Sequence, residues 1–281
     1  MNQRLREFAR LIFNLIQNIE VFFLRLFGII DFPVPPNSNM RRTSAKTIKH
    51  YIYSGITTYL PIATLAQYLG VNFSEKIKVL DFGCGGAGQL RMFTKHFPAT
   101  HFYACDVDPS SIDFIKRCYP QVNSCVSNFT PPLPYESNQF DVIYSVSTFS
   151  HFDAETIDIW LLEFSRILKV NGILLLTIEG EFAIKVVADE TTESPELIKL
   201  ELEKSGIFYK NYDWLGTLQK RGRALTKSVD ISTYFGSSYG NTVLSRKFID
   251  EKFNNHGLKV MGVSEGIICE RQDLIALKKL A

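Results

Sequence analysis

Gly83, Gly85 and Gly88, in the run VLDFGCGGAGQL (79–90), keep the G-x-G-x-x-G spacing of a turn whose backbone can approach a ligand with no side chain in the way. Two carboxylates flank that turn. Asp106 ends the next apolar run, about 20 residues on, where a carboxylate accepts hydrogen bonds from ribose hydroxyls. Asp81 stands two residues before the first glycine, where it would repel a pyrophosphate at close range and would suit a cation. The plainer alternative for Asp81 is a carboxylate that ties the loop. Cys84 lies inside the turn, whereas Cys105 and Cys125 fall in apolar runs and read as buried small hydrophobes. There is no C-x-x-C pair and no histidine at zinc-ligand spacing beside a cysteine, so no metal site is expected.

The elements that must position these groups alternate along the chain. Strands are expected at 77–82, 101–106, 122–126, 140–146 and 173–178, with helices at 87–97, 109–118 and 154–169 between them. Strands apolar on both faces, alternating with helices, predict a parallel sheet covered on each side, with its ligand at the carboxyl ends of the strands. A helix at 245–256 and two apolar strands at 258–264 and 273–278 close the chain; too few residues separate those strands for a crossover, so they pair antiparallel. The expected fold class is α/β, a Rossmann-like doubly wound seven-stranded sheet with an antiparallel last strand, plus N-terminal helices and a lid insertion. The expected divisions are an amphipathic helix and proline-rich strap at 1–42, a ligand-binding core at 43–180, a lid insertion at 181–243 and closing elements at 244–281. Helices between 43 and 69 should break near Gly55 and Pro61, and 181–240 should lose regular periodicity.

With these residues in hand, the chain resembles the class I S-adenosylmethionine-dependent methyltransferases over about residues 75–180. VLDFGCGGAG is similar to their first motif, ACDVDPSSI to the second, SNFTPPLPYESNQFDVIYSVSTFSHF to the adenine loop and fourth strand, and WLLEFSRILKVNGILLLTIEG to the helix and fifth strand. The flanks, VPPNSNMRR and YGNTVLSRKFIDEKF...RQDLIALKK, more weakly resemble a bacterial subgroup acting on sugars and other small metabolites. The resemblance implies S-adenosylmethionine as cofactor. Gly83, Cys84 and Gly85 would line its methionine part, Asp81 would sit near its ammonium, and Asp106 would hold the ribose. Val107 would lie against the adenine, Asn128 would bond its amino group where the family more often has aspartate, Phe129 would stand beside the ring, and Ser145 would complete the wall.

A hydroxyl acceptor benefits from a base, and His151, in STFSHFD after the fourth strand, is the candidate; a structural hydrogen bond is the alternative. Asp153 reads as a helix cap, Glu163 and Arg166 as a local pair, and Tyr234 and Tyr239 either close over the acceptor or pack. The expected function is methyl transfer to a small-molecule acceptor, with a sugar or glycan precursor favoured. A lipid-like acceptor at a membrane surface and a non-catalytic module of the same fold stay open as alternatives.

The balance of 31 basic and 29 acidic residues gives a formal charge of +2 and argues against a phosphate-tracking surface, so no nucleic-acid partner is expected. Oligomeric state is not fixed by the sequence. Residues 1–30 are interrupted by Asn14, Gln17, Asn18, Glu20 and Arg25, so they do not read as a spanning helix. Such a greasy helix must bury its broad face, either on the protein's own core or a second subunit, or in a membrane interface with Arg4, Arg6, Arg10 and Arg25 near headgroups. The unpaired cysteines point to the cytoplasm, with peripheral contact at the inner membrane face through residues 1–30 as the further possibility.

Overall fold

A computed structural model describes residues 3–42, 47–211 and 239–281. Seven strands form one sheet: β1 (Lys78–Phe82), β2 (His101–Asp106), β3 (Asn123–Val126), β4 (Phe140–Ser145), β5 (Leu168–Ile178), β8 (Leu258–Ile268) and β9 (Gln272–Lys279). Their order is β3-β2-β1-β4-β5-β9-β8, with β9 antiparallel to both of its neighbours and the pairs among β1 to β5 parallel. The expected sheet, with its antiparallel last strand, is therefore present. A two-stranded ribbon pairs β6 (Ile207–Asn211) with β7 (Gly240–Leu244).

Helices α4 (Leu90–His96), α5 (Pro109–Cys118) and α6 (Ala154–Ile167) cover the sheet. Asp153 caps α6 by accepting from Thr156 N at 2.8 Å, and Arg166 pairs with Glu163 at 2.7 Å, both as expected. One apolar layer gathers Phe93, Phe102, Ile112 and Leu175, and the opposite layer Trp160, Phe164, Leu174 and Phe248. The start of α4 needs a correction: the glycine turn runs on to Gln89, so the helix begins three residues later than the periodicity suggests.

Two further readings need correction. The helix over 48–68, α3 (Ile48–Tyr68), runs unbroken through Gly55 and Pro61. Tertiary packing overrides the local breaker signal: at Gly55 a Cβ would stand 2.7 Å from the Gly88 carbonyl and 2.6 Å from Arg91 Nη2, so the glycine is there for close approach to the turn. Part of 181–240 is also regular, holding α7 (Ile184–Thr191), α8 (Pro195–Ser205) and β6. Ser194 caps α8 and Gly206 ends it in the left-handed region, signals readable in the sequence.

Ahead of the core lie α1 (Gln3–Leu26) and α2 (Asn37–Arg42), joined by the strap Phe32–Pro36. Val21, Leu24 and Val34 pack on a small cluster of Met40, Ile48 and Tyr51. Elsewhere on α1, Leu15, Ile19, Phe22 and Leu26 are exposed among the described residues. The helix after β7, α9 (Arg246–Lys252), leads into the closing strands.

Candidate active site at the carboxyl edge of the sheet

The carboxyl ends of β1, β2 and β4 meet at the glycine turn. Gly83 and Cys84 N–H both donate to the Cys105 carbonyl, at 2.9 and 3.1 Å. The Asp106 carboxylate accepts from Gly85 N and Asp108 N, each at 2.8 Å, so it clamps the turn to the end of β2. Gly83 has φ +75°, and a Cβ there would stand 2.4 Å from Thr148 Oγ1, so this position admits only glycine without rearrangement. Tyr51 donates to the Gly86 carbonyl at 2.8 Å, and Pro35 of the strap packs against Gly86. The N-terminal strap and α3 thus roof the turn.

Asp81 is buried and accepts from the Tyr144 hydroxyl at 2.8 Å. Burial pushes its pKa up to about 7, against the lowering effect of Tyr144 and with a further push from Asp106. A buried carboxylate so close to neutral stabilises, and is stabilised by, a cation. Burial drives the Cys84 thiol well above its ordinary range, so it is inert as a nucleophile. Ser145 is buried, and its hydroxyl has no hydrogen-bond partner among the described residues. Val107 and Phe129 are half-buried, Phe129 edge-on to Phe152 at 5.6 Å, and Asn128 is exposed after β3.

Beyond β4 the edge changes character. Ser147 N and its hydroxyl reach Thr177 Oγ1 (2.7 Å) and Gln272 Oε1 (2.9 Å), and Gln272 Nε2 donates to Ser150 Oγ at 3.3 Å. His151 donates from Nδ1 to the Gly240 carbonyl at 2.8 Å, with the Tyr239 ring 4.7 Å away. That bond fixes the tautomer with Nε2 unprotonated, and burial lowers the pKa to about 4. Glu179, just past β5, is buried; Arg271 binds one of its oxygens, with Nε at 2.6 Å, while the other has no partner among the described residues. Arg271 also holds Glu190 bidentately at 2.8 and 3.1 Å. Burial raises Glu179 to about 7, although Arg271 opposes it.

Residues 80–176 match the family described as the methyltransferase domain. The matched residues are those that carry the glycine turn, Asp106 and the strands from β1 to β5. A tRNA N(3)-cytidine methyltransferase of Gallus gallus is 25% identical over 120 residues, 39% of this chain and 32% of that protein, so the match spans about a third of the relative's length. Among solved structures, a chain of the complex between the Haloferax volcanii Trm112 methyltransferase activator and its methyltransferase superposes with a TM-score of 0.54 at 13% identity, covering 86% of this chain and 94% of that one. An S-adenosylmethionine-dependent methyltransferase from Mesorhizobium loti gives 0.52 at 10% identity, covering 76% and 96%. At these identities the structures share the fold.

Within the methyltransferase domain, Asp81, Gly83, Cys84, Gly85, Asp106 and Ser145 lie at the carboxyl ends of β1, β2 and β4, with Val107, Asn128 and Phe129 in the segments that follow β2 and β3. His151 lies further along, tied to β7. Tyr234 falls outside the described residues. Sequence reasoning missed Glu179, Arg271 and Gln272. The available signal was a charge set immediately after one apolar strand (ILLLTIE) and another immediately before a second (RQDLIALK), which the antiparallel pairing of Ile178 with Asp273 brings face to face.

Proposed function

We propose that this chain transfers the methyl group of S-adenosylmethionine to a polar small-molecule acceptor, with a sugar or glycan precursor as the favoured class. The observation that carries this reading is the junction of two unlike surfaces on one sheet edge. A glycine turn with a buried carboxylate suits a cationic nucleoside, and a row of hydroxyl, amide and carboxylate groups suits a hydrogen-bonding acceptor.

In this reading Asp81 meets the ammonium, Gly83, Cys84 and Gly85 line the methionine, and Asp106 holds the ribose. Val107, Asn128 and Phe129 take the adenine, and the buried Ser145 hydroxyl, which has no partner among the described residues, gains one when the site fills. Bound S-adenosylmethionine supplies a methyl group already activated on a sulfonium. The chain's own work is then to hold the nucleophile in line, exclude water and accept its proton. His151, in the tautomer its Nδ1 bond selects, and Glu179, one of whose oxygens has no hydrogen-bond partner among the described residues, are the candidates for that purpose.

The chicken relative acts on tRNA. A near-neutral chain, 31 basic against 29 acidic residues, weighs against the same class of acceptor here. A lipid-like acceptor is a second reading, favoured by the bare apolar face of α1.

Calorimetric titration with S-adenosylmethionine and its demethylated product, S-adenosylhomocysteine, beside Asp106→Ala and with NAD as control, tests the donor site. Micromolar binding that the variant loses supports it and opens an acceptor screen read by the mass gain of one methyl. NAD binding with no response to either sulfur ligand would end this reading.

A further inference from the structure

The helix α1 carries an apolar face that nothing in the described chain covers. Leu15, Ile16, Ile19, Phe22, Phe23 and Leu26 are all exposed, from 47% to 63% of their surface, and recur every three or four residues. Phe27 and Ile29 extend the patch past the helix end, at 71% and 64%. A contiguous bare surface of this kind marks an interaction site on a folded protein. The back edge of the same helix, Val21 and Leu24, anchors it to the cluster around Tyr51. Among the described residues no helix is long and apolar enough to cross a membrane, so a bilayer would meet α1 lying flat.

A second observation names the charge of the partner. A cavity of about 400 Å³ opens between α1, the strap and α5. Among the described residues, Arg25 and Arg117 are the charged groups that line it, with Asn18 and Asn37 as neutral polar groups and no carboxylate. Both arginines are exposed. Over the whole helix the sequence sets Arg4, Arg6, Arg10 and Arg25 against Glu7 and Glu20, and Glu20 lies 3.9 Å from Lys49. A second copy docked through α1 across a two-fold axis would set Arg25 and Arg117 against their own counterparts. An anionic bilayer complements both the apolar face and the charge.

We propose that α1 docks this protein on an anionic membrane surface, its apolar face in the interface and a lipid headgroup phosphate in the Arg25/Arg117 cavity. Pro35 lines that cavity and also packs on Gly86, so the docking surface shares a wall with the roof of the glycine turn. The proposal goes beyond the methyl-transfer reading and is tested without it.

Flotation of the full-length protein with phosphatidylcholine vesicles, and with mixed phosphatidylcholine and phosphatidylglycerol vesicles, reads the surface directly. Binding should be strong to the mixed vesicles, weak to the neutral ones, and reduced by salt. Arg25→Gln with Arg117→Gln should lower partitioning onto the mixed vesicles about thirtyfold, and Leu15→Asp with Phe22→Asp should abolish it. Each variant should bind S-adenosylhomocysteine, or at least keep the melting temperature of the parent, which separates lost docking from lost folding. Equal partitioning onto neutral and anionic vesicles would overturn the charge assignment. Absence of flotation, with a dimer in sedimentation that Leu15→Asp with Phe22→Asp converts to monomer, would overturn the proposal and give the face to a second copy.

Discussion

The two halves of one sheet edge are held by different kinds of bond. Around the glycine turn several bonds run from backbone amides to a carbonyl or carboxylate about 20 residues away, as from Gly85 to Asp106, with the Tyr51 and Tyr144 hydroxyls adding two longer ties. Past β4 they start from side chains and reach groups distant in sequence: Ser147 to Gln272, Arg271 to Glu179 and Glu190, and His151 to the Gly240 carbonyl. The first half is written in local spacing, and the second exists only once β5 and β9 have paired. In the proposed reading the first kind would hold the donor and the second would meet the acceptor.

If that division is right, damage on the turn should be felt by the donor and damage past β4 by stability and acceptor. The largest effect is expected at Gly83→Ala. Left-handed backbone costs about 1–2 kcal/mol, and the contact with Thr148 adds about 1–3 more. S-Adenosylhomocysteine binding should vanish by calorimetry, with a clear drop in the denaturant midpoint. Retained affinity would mean that the turn is not where the donor is held.

Arg271→Met should do the reverse. It strips the cation from buried Glu179, a change worth about 3 kcal/mol or more when the charge is left uncompensated. The sign follows from the raised carboxyl: Glu179 already sits near 7 in the folded state against 4.5 in its ordinary range, so its contribution is present at low pH and is lost as pH rises through 7. Without Arg271 the carboxyl rises further, so the destabilisation seen by urea unfolding should be large above pH 7 and fade in acid. Glu179→Gln should flatten that dependence. In both variants binding of S-adenosylhomocysteine should be unchanged in any sample that is still folded.

Asp106→Asn removes one acceptor oxygen from the clamp on Gly85 and Asp108, and the affinity for S-adenosylhomocysteine should fall about ten- to a hundredfold. Asp81 offers a subtler test of the same half. With its pKa near 7, a ligand ammonium can favour its carboxylate only by displacing a proton, so affinity should rise with pH and level off above 7. Asp81→Asn should erase the slope and Glu179→Gln should leave it. Slopes distributed the other way round would place the ligand's charge past β4.

The same division explains what was legible in the sequence. The sheet and the place of the glycine turn at its carboxyl edge follow from alternation and from glycine spacing, because parallel strands with crossover helices encode their order locally. α3 was misread at Gly55 because a glycine's reason for being there was a contact with Gly88, invisible until the two elements meet. Glu179 and Arg271 were missed for a related cause. Each looks like an ordinary charge at a strand end, and only the register of β5 on β9 shows that they share one buried site.

His151 lies where the two halves meet, and the smallest expected effect decides which one it serves. Its Nδ1 bond to Gly240 ties the loop after β4 to β7, so His151→Ala should cost about 1 kcal/mol of stability. His151→Asn can keep a donor toward that carbonyl while losing Nε2, and should recover most of the loss. Its low pKa, about 4, means that the ring stays neutral over the physiological range and contributes no inflection near 6.5 to a pH profile. Once an acceptor is found, an asparagine variant that turns over at the parental rate would make His151 a structural tie. A stable asparagine variant without turnover would make it the residue that meets the acceptor, and would move the boundary between the two halves to its imidazole ring.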